Sequence, residues 1–524
     1  MVPSRNAIVM KGNPMKTLTR RGFLGASAAA LALLHPAARA ALNHQHPSSP
    51  NKVHDGLLPL EAMPKGQPLV ALPLLKNQSR SKGVFKARIT AQPKTLTVAA
   101  RKPTEFWLYN DSLPGPQIVV REGDEVEILF ENNLPEPTTI HWHGLPVPPD
   151  QDGNPQDFVP PGGKRWYRFT LPEDCAGTYW YHPHPHGLTA MQVARGLAGT
   201  FVVLPKTPSK VDKLVEQHWL ISDLRLDRHG QIPENTTVDW LNGREGHFVL
   251  INGQREPRIE VNNRSRIRIW NACAARYLRL HIPGVEWQLL GTDGGLIEEP
   301  HLLGKELLLA PGERVEVIAH CHSAQQAPLV SHYYDRDKMM VNEPHTAITL
   351  AQVHHSAGES FALPQKLRDF PKLPKTKTTK HVVFSEAPMD HHSMSDMPRS
   401  ELENMFFVNG RVYHPERMDL VSYVGEWEHW QLVNNSHMDH PFHLHGTQFL
   451  VTHRERGGEN TAEPVKAWRD TVNLRPQETV HILVQQTMPG IRMFHCHILE
   501  HEDLGMMANL HVIAKQTTAG VKSV

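Results

Sequence analysis

Short stretches of alternating apolar and polar residues begin near Val84 and recur along the rest of the chain. In residues 118–130, apolar and polar positions alternate on both sides of a Glu-Gly-Asp sequence. A period of two residues is typical of a strand with one buried face, and glycine between charged residues favours a turn. We therefore predict a β-hairpin at 118–130 and an all-β fold from residue 84 onwards.

Two sequence patterns repeat along the chain and divide it into similar units. An apolar residue followed by Asn-Gly precedes alternating stretches at 251–253 and 408–410. A Pro-Gly or Pro-Gln turn sequence recurs at 159–163, 309–317 and 474–480. Three copies of a strand-rich unit of roughly 120 to 150 residues predict three β-sandwich domains.

The repeats also set the predicted domain boundaries. We place the three sandwiches at 84–206, 207–356 and 401–524. Residues 41–83 are rich in Pro, Ser and Asn, and we interpret them as a linker or an extended arm on the surface. We interpret residues 357–400 as a second linker, which carries a loop rich in Met and His.

The N-terminal segment has the composition of an export signal. Residues 19–24 read Thr-Arg-Arg-Gly-Phe-Leu, an apolar run follows at 25–34, and Ala-Arg-Ala stands at 38–40. This order is typical of a twin-arginine signal peptide at 1–40, and the apolar run is shorter than the ~20 residues of a membrane span. The sequence therefore predicts export of the folded protein to a bacterial periplasm, without a membrane span in the mature chain.

The overall composition is that of an ordinary soluble protein, apart from its histidines. The chain has 40% hydrophobic and 21% charged residues, and its net charge of +1 argues against nucleic acid or an anionic membrane surface as a partner. Besides Cys496 there are Cys175, Cys273 and Cys321, which allow at most one intramolecular disulfide, and the pairing stays open. The unusual feature is the presence of 35 histidines.

A His-Cys-His sequence near the C-terminus combines two kinds of metal ligand. If it lies on a strand, His495 and His497 point to one face and Cys496 points to the other. Cys496 with His501 and Met506 supplies most of a His2Cys site with a long axial Met, the ligand set of a blue-copper centre. One tripeptide can thus serve two metal centres.

The remaining ligands lie upstream. The sequence His-Pro-Phe-His-Leu-His provides His440 as a second imidazole for the Cys496 site. The chain also carries four His-x-His pairs, namely His141/His143, His182/His184, His443/His445 and His495/His497. Eight imidazoles are sufficient to hold a cluster of several copper ions, because neutral imidazole is a good copper ligand.

These motifs, in this order, closely resemble the multicopper oxidase family, in particular its bacterial periplasmic cuprous oxidases and laccase-like members. The resemblance implies cupredoxin-like Greek-key β-sandwich domains and four copper ions per chain. In that family a type 1 copper takes electrons from the substrate. The cysteine between two histidines then passes them to a trinuclear cluster that reduces dioxygen to water.

Every ligand position of the family's pattern is filled in this sequence. The resemblance assigns the type 1 copper to His440, Cys496, His501 and Met506. It assigns the type 2 copper to His141 and His443, and the type 3 pair to His143, His182, His184, His445, His495 and His497.

Two carboxylates near these ligands are candidates for proton delivery. Asp152 lies nine residues after His143, and Glu502 follows His501. In oxidases that resemble this chain, acidic residues at these spacings help to deliver protons, which requires carboxylates within hydrogen-bond reach of bound oxygen species. For Asp152, a turn in the sequence Asp-Gln-Asp-Gly is the alternative.

The electron donor is the least determined part of the prediction. Met438 and Asp439 precede His440, and the loop 389–397 contains thioethers, imidazoles and carboxylates. Because Met suits the soft cuprous ion, the thioethers of this loop and the residues before His440 are candidate copper(I) ligands, namely Met389, Met394, Met397, Met438 and Asp439. A polar interdomain loop is the alternative. We predict a cuprous oxidase in periplasmic copper tolerance, with laccase-like phenol oxidation as the close rival.

Other classes of protein share parts of this pattern. A copper-binding or storage protein would not require a thiol clamped between two histidines of another centre, and the complete ligand set argues against a copper-free structural relative of the cell-division type. A second His-Cys-His sequence at 320–322 has no matching His and Met after it, so we predict a structural role there. The expected partners are dioxygen and the electron donor, and we expect a monomer.

Overall fold

The computed structural model describes residues 56–341, 343–376, 378–388 and 397–515. The described residues form six β-sheets. The sheets pair into three sandwiches, and each pair encloses its own apolar core. The prediction of an all-β fold built from β-sandwich domains is confirmed.

The first sandwich contains eight strands. They are β1 Val84–Ala99, β2 Lys102–Tyr109, β3 Gly115–Arg121, β4 Glu125–Asn132, β5 His141–His143, β6 Lys164–Thr170, β7 Gly177–His182 and β8 Gly199–Leu204. One sheet has the order β2-β1-β4-β6 and the other the order β3-β8-β7-β5. Burial alternates along the start of β1, as expected for a strand with one face on the core.

The predicted hairpin at 118–130 is wrong. β3 pairs in parallel with β8, whereas β4 pairs with β1 and β6 in the opposite sheet. The turn therefore carries the chain from one sheet to the other across the core. The alternating pattern shows which side chains are buried, but a buried face looks the same whether the next strand lies beside it or opposite it.

The second sandwich contains twelve strands. They are β9 Val215–Leu224, β10 Phe248–Ile251, β11 Gln254–Arg255, β12 Arg258–Val261, β13 Ser265–Asn271, β14 Leu278–His281, β15 Val285–Thr292, β16 Gly295–Gly304, β17 Glu306–Leu309, β18 Arg314–Cys321, β19 Gln325–His332 and β20 Ile348–His355. The sheet orders are β11-β10-β9-β13-β18-β15-β16 and β12-β20-β19-β14-β17.

The third sandwich also contains twelve strands. They are β21 Thr378–Glu386, β22 Phe406–Val408, β23 Leu420–Tyr423, β24 Trp427–Asn435, β25 His440–Leu444, β26 Phe449–Arg456, β27 Glu459–Ala462, β28 Trp468–Arg469, β29 Thr471–Leu474, β30 Glu478–Gln485, β31 Gly490–Cys496 and β32 Met507–Ile513. One sheet has the order β22-β21-β24-β30-β26-β27, with β28 on β26, and the other the order β23-β32-β31-β25-β29.

The linker predicted at 357–400 includes the first strand of the third sandwich. β21 pairs in parallel with β24, about fifty residues further on. Only Val382 and Phe384 of this strand are buried, among mostly polar neighbours. A run of three apolar residues, two of them buried, shows no clear alternation, so the boundary at 401 is placed too late.

The described part of the predicted arm, residues 56–83, is extended and packed. Isolated β-bridges join it to the first and second sandwiches. Leu58, Met63 and Leu72 are buried against them. This arm covers the junction between two sandwiches instead of lying freely on the surface.

One asparagine turn recurs in all three sandwiches. Asn110, Asn252 and Asn409 each have a positive φ of 51 to 52°. In each case the side-chain oxygen accepts a hydrogen bond from a backbone N–H of a neighbouring strand, at Thr90, Leu220 and Val383 respectively. The sequence repeat revealed the second and third copies, but the first has Asn-Asp in place of Asn-Gly and escaped detection.

The described fold also contains four short α-helices. They are α1 Thr189–Ala194, α2 Thr237–Asn242, α3 Arg399–Leu402 and α4 Leu499–Asp503. α4 follows the His-Cys-His sequence directly and contacts both α1 and α2, so it joins elements of all three sandwiches. Within the described ranges, no helix has both the length and the apolar character needed to cross a membrane.

Candidate metal centres

Two pairs of strands bring the four His-x-His sequences together. In the first sandwich β5 pairs with β7, so that His141 lies opposite His182. In the third sandwich β25 pairs with β31, so that His443 lies opposite His495. Cross-strand partners point to the same face of a sheet. The eight histidines of these pairs form one fully buried group between the two sandwiches, which we call the imidazole cluster.

The ring nitrogens of the imidazole cluster face one another closely. The nitrogen separations are 3.3 Å for His141 to His443, 3.4 Å for His143 to His182, 3.2 Å for His184 to His495 and 3.1 Å for His445 to His495. Two of these four contacts join the first sandwich to the third. The cluster thus connects chain segments that are more than three hundred residues apart.

The opposite nitrogen of most rings is held by an acceptor outside the cluster. Nδ1 of His141, His182, His443 and His495 lies 2.9 Å from the backbone oxygen of Asp152, Pro183, Asp470 and Cys496 respectively. A ring that donates from Nδ1 keeps its lone pair on Nε2. These backbone contacts therefore direct four lone pairs into the centre of the cluster.

The donor set of the imidazole cluster fits bound copper. Both ring nitrogens of His497 are buried without a hydrogen-bond partner among the described residues, which costs about 1 to 3 kcal/mol per group unless a ligand satisfies it. Desolvation by burial lowers the pKa of His184 and of His445 well below the usual value, and the neighbouring imidazoles lower it further. Neutral imidazoles that converge on one space are the donors that copper prefers.

Cys496 lies in a second buried group. Its Sγ is 3.3 Å from Nδ1 of His440 and 3.9 Å from Nδ1 of His501, and the two nitrogens are 3.3 Å apart. Met506 is fully buried in the same apolar core, and its carbonyl oxygen accepts a hydrogen bond from the Cys496 N–H. We call His440, Cys496, His501 and Met506 the thiol cluster. Its composition fits a copper site of the His2Cys type with an axial Met.

Two contacts orient the imidazoles of the thiol cluster. Nε2 of His440 lies 3.0 Å from Oε1 of Glu386, and Nε2 of His501 lies 3.0 Å from the carbonyl oxygen of Leu241. Both rings therefore present Nδ1 to the thiol. Glu386 also contacts Nδ1 of His437 at 2.6 Å, and the His437 side chain is 34% exposed. This chain of contacts leads from the surface to His440.

Sequence reasoning missed Glu386. It stands at the end of β21, inside the predicted linker, and no local pattern distinguishes it from other surface glutamates. Only the parallel pairing of β21 with β24 brings it beside His440.

The two clusters meet at the His-Cys-His tripeptide. β31 ends at Cys496, whose side chain enters the thiol cluster, while His495 contacts His184 and His445 in the imidazole cluster. The predicted division of the tripeptide between two sites is thus the geometry observed. Neighbouring residues of one chain give the two clusters a covalent connection.

Both predicted carboxylates lie beside the imidazole cluster. Asp152 is 3.2 Å from Nδ1 of His141 and 3.4 Å from Nδ1 of His445. Glu502 is 3.4 Å from Nδ1 of His184 and 3.3 Å from Nδ1 of His495. Burial, and after it a neighbouring acidic side chain, raises the pKa of Glu502 well above its usual value.

A buried ion pair supports the same cluster from the second sandwich. Arg314 binds both carboxylate oxygens of Asp470 at 2.6 Å. Asp470 in turn lies 3.1 Å from Nε2 of His143. Burial by itself would raise the pKa of Asp470, but the Arg314 guanidinium outweighs it and holds this pKa below its usual range. Sequence reasoning missed this pair, because 156 residues separate its members.

The predicted copper(I) ligands are only partly brought together. Met438 is fully buried, and Asp439 is 3% exposed and accepts hydrogen bonds from Tyr334 and Asn473. Neither side chain therefore reaches the surface. Met397 packs against the apolar core that contains the thiol cluster. Met389 and Met394 lie outside the described residues, as does the predicted signal peptide at 1–40.

The second His-Cys-His sequence lies apart from both clusters. Cys321 ends β18 and donates from Sγ to the carbonyl oxygen of Ser323, and His320 contacts Gln288. All four cysteines of the chain are buried free thiols.

Comparisons with known proteins identify similar oxidases. Two family models, both described as multicopper oxidase, match residues 90–208 and 381–516. A multicopper oxidase from Staphylococcus aureus is 30% identical over an alignment of 446 residues, which covers 80% of this chain and 88% of that protein.

Solved structures are similar over nearly their whole length. A multicopper oxidase from Campylobacter jejuni, described as a metallo-oxidase, has 48% identity and a TM-score of 0.85, covering 88% of this chain and 98% of that chain. A laccase from Pediococcus acidilactici has 30% identity and a TM-score of 0.73, covering 88% of this chain and 97% of that chain.

Proposed function

Because this chain belongs to the multicopper oxidase family, and so is an oxidoreductase, we propose that it couples four one-electron oxidations of copper(I) to the reduction of dioxygen to water. The observation that carries this proposal is the tripeptide at 495–497, whose imidazoles enter one cluster while its thiol enters the other. The twin-arginine sequence at Arg20 and Arg21 supports a periplasmic location.

The residues of the two clusters account for four copper ions. The thiol cluster would hold the type 1 ion, His141 and His443 the type 2 ion, and the other six imidazoles the type 3 pair. Copper bound in this way supplies one-electron transfer at the thiol cluster and dioxygen reduction at the imidazole cluster.

The chain itself positions these ligands and connects them. Glu386 and the Leu241 carbonyl hold the two thiol-cluster rings with Nδ1 towards Cys496. The backbone from Cys496 to its flanking histidines gives electrons a short route made of covalent bonds. Full burial of both clusters excludes water from them.

Reduction of dioxygen to water also consumes protons, and Glu502 is placed to deliver them. Its two carboxylate oxygens lie between His184 and His495, and neither has a hydrogen-bond partner in the described part of the chain. Asp152 instead contacts Arg492 at 3.5 Å and lies beside Nδ1 of His141 and of His445. We assign proton delivery to Glu502 and orientation of His141 and His445 to Asp152.

Glu502→Gln is expected to slow oxygen uptake by about 100-fold, because general acid catalysis typically contributes 10² to 10⁴ and the amide cannot transfer a proton. The blue absorption should stay unchanged, since the Glu502 side chain contacts His184 and His495 and is not a ligand of the thiol cluster. Stopped-flow reduction follows the blue absorption, and an oxygen electrode measures oxygen uptake. Glu416→Gln on the surface is the matched control. An equal loss of blue absorption would contradict the assignment.

Copper(I) is the donor that the environment of the thiol cluster favours. The thioethers of Met339, Met397 and Met405 pack with the apolar core that contains Cys496 and Met506. Thioethers are soft ligands that suit cuprous ions. The Campylobacter relative, described as a metallo-oxidase, supports the same choice.

Oxygen uptake with copper(I) and with a methoxyphenol, offered in parallel to the copper-loaded protein, tests the donor. The wild type should prefer copper(I). Replacing Met389, Met394 and Met397 by Leu should lower copper(I) oxidation about tenfold, equivalent to about 1.4 kcal/mol of binding, and leave phenol oxidation unchanged.

Met418→Leu, in the same sandwich, is the control for the loss of a thioether outside the loop. Equal loss of both activities in the triple variant would return the loop to a linker role. A preference for the phenol would favour laccase-like activity, the second candidate, which the Pediococcus laccase supports. If the copper-loaded protein takes up no oxygen with either donor, its function would be copper binding without turnover.

A further inference from the structure

A group of histidines that no part of the oxidase mechanism uses lies on the seven-stranded sheet of the third sandwich. His429 is on β24, His481 is on β30, and His453 and Glu455 are on β26. These strands are direct neighbours in the sheet. We call the four residues the outer histidine group.

The outer histidine group faces away from the apolar core. Trp430 and Ile482 point into that core. Side chains alternate between the two faces of a strand, so the adjacent positions His429 and His481 point outwards. The His453 side chain is 30% exposed and the Glu455 side chain is 49% exposed. An ion in solution can therefore reach this group, unlike the fully buried copper clusters.

A β-bulge directs the His453 side chain to the outer face of the sheet. Val451 pairs with Ile482, and both are buried in the core. In a regular strand His453, two residues later, would share this inner face. The register shifts between them, so that His453 lies opposite His481 and Thr452 is the extra residue. Bulges that re-aim a side chain are over-represented near functional sites.

Two nitrogen–oxygen separations in the group are close to the spacing of ligand atoms around a metal ion. Nε2 of His481 lies 3.4 Å from Oε1 of Glu455, and Nε2 of His453 lies 3.7 Å from the same oxygen. The rings of His453 and His481 are stacked at 3.8 Å. A tetrahedral ion with ligand distances of about 2.0 to 2.1 Å needs ligand atoms roughly 3.4 Å apart.

The tautomer of His453 is set by Thr452. The Thr452 hydroxyl donates to the carbonyl oxygen of His481 at 3.1 Å, so its lone pair is available to the Nδ1–H of His453 at 2.9 Å. A proton on Nδ1 leaves the lone pair of His453 on Nε2, which faces Glu455.

The contacts of His481 allow a tautomer that keeps its lone pair on Nε2. Its Nδ1 lies 2.9 Å from Nε2 of His429. Its Nε2 is buried and lies 3.4 Å from Oε1 of Glu455, so it can donate to this carboxylate or share a metal ion with it. Donation from Nδ1 to His429 leaves no donor unpaired. Both Nε2 atoms then carry lone pairs and lie within 3.7 Å of Oε1 of Glu455.

We propose that His453, His481 and Glu455 bind one divalent cation of borderline softness, Zn²⁺ or Cu²⁺, separate from the resident copper. Imidazole with carboxylate is a ligand set that both ions accept. His429 acts as the outer partner that orients His481, as hydrogen-bonded neighbours of metal-ligating histidines do. Asn460 donates to Oε1 of Glu455 at 3.3 Å and orients the carboxylate.

Calorimetric titration of the copper-loaded protein with Zn²⁺ tests the site. The wild type should bind one equivalent of Zn²⁺ without releasing copper. His453→Gln and Glu455→Gln should each weaken this binding at least tenfold. Both replaced side chains are partly exposed, so the fold should persist. His511→Gln, at an exposed position on β32 of the same sandwich, should bind as the wild type does.

His429→Ala separates this site from unspecific binding to surface histidines. It removes no ligand, yet it should weaken Zn²⁺ binding about 10- to 100-fold through the loss of the outer partner. Bound Co²⁺ should show tetrahedral visible bands in the wild type and lose them in His453→Gln. No bound Zn²⁺ in the wild type, or equal binding in the ligand variants and the wild type, would overturn the proposal. Neither readout depends on oxidase activity.

Discussion

Cys496→Ser is expected to abolish both the blue absorption and oxygen uptake of the copper-loaded protein. The thiol lies 3.3 Å from Nδ1 of His440, and its backbone continues directly into two residues of the imidazole cluster. Serine has nearly the same shape, but its hydroxyl is a poor substitute for a thiolate as a ligand for copper. The change therefore removes the entry point of electrons and leaves the eight imidazoles in place.

Electron paramagnetic resonance monitors the copper ions, and an oxygen electrode measures oxygen uptake. The type 2 copper signal should persist in Cys496→Ser, since no ligand of that ion changes. Cys321→Ser is a closely matched control, because Cys321 is also buried at the end of a strand and also stands between two histidines. This control should retain colour and turnover. Persistent turnover in Cys496→Ser would disprove the assigned electron route.

Asp470→Asn is expected to lower the stability of the metal-free protein by about 3 to 5 kcal/mol, because it leaves the Arg314 guanidinium buried without its bidentate partner. Arg314 is fully buried, and its contact with Asp293, at 3.5 Å, is longer than the 2.6 Å contacts with Asp470. The same change removes the carboxylate beside Nε2 of His143. Copper content should fall as well.

Thermal unfolding of the metal-free protein isolates the ion pair, because bound metal would itself raise the melting temperature. Metal analysis after copper loading measures the second effect. Glu306→Gln is the control: its pair with Arg279 has side chains that are 40% and 44% exposed, and such a pair contributes about 0 to 1 kcal/mol. A melting temperature and copper content equal to those of the wild type in Asp470→Asn would refute a supporting role for this pair.

The positions of the carboxylates show a limit of sequence reasoning. Asp152 and Glu502 were found because they lie close in sequence to histidines of recognised motifs. Glu386, Asp470 and Arg314 have no such neighbour, and glutamate, aspartate and arginine are common surface residues. Strand pairing alone brings them to the clusters, across 54 residues for Glu386 and His440 and 156 for Arg314 and Asp470.

The β-strands show the same division between local and distant information. Alternation identified the buried faces at 118–130, but it could not show that β3 and β4 belong to opposite sheets. A single extra residue at Thr452 turns His453 outwards, and no feature of the sequence marks that bulge. Registers depend on which strand is the neighbour, and that choice is made by the whole core.

Features that arise within a few residues can be predicted from the sequence alone. Because side chains alternate along a strand, Cys496 points to the opposite face from His495 and His497. The same alternation places both histidines of each His-x-His pair on one face. The groups that lie opposite these side chains depend on the folding of the whole chain. The acceptors that orient the rings, the ion pair below the cluster and the outer histidine group come from distant strands, whose pairing depends on packing of the whole sandwich.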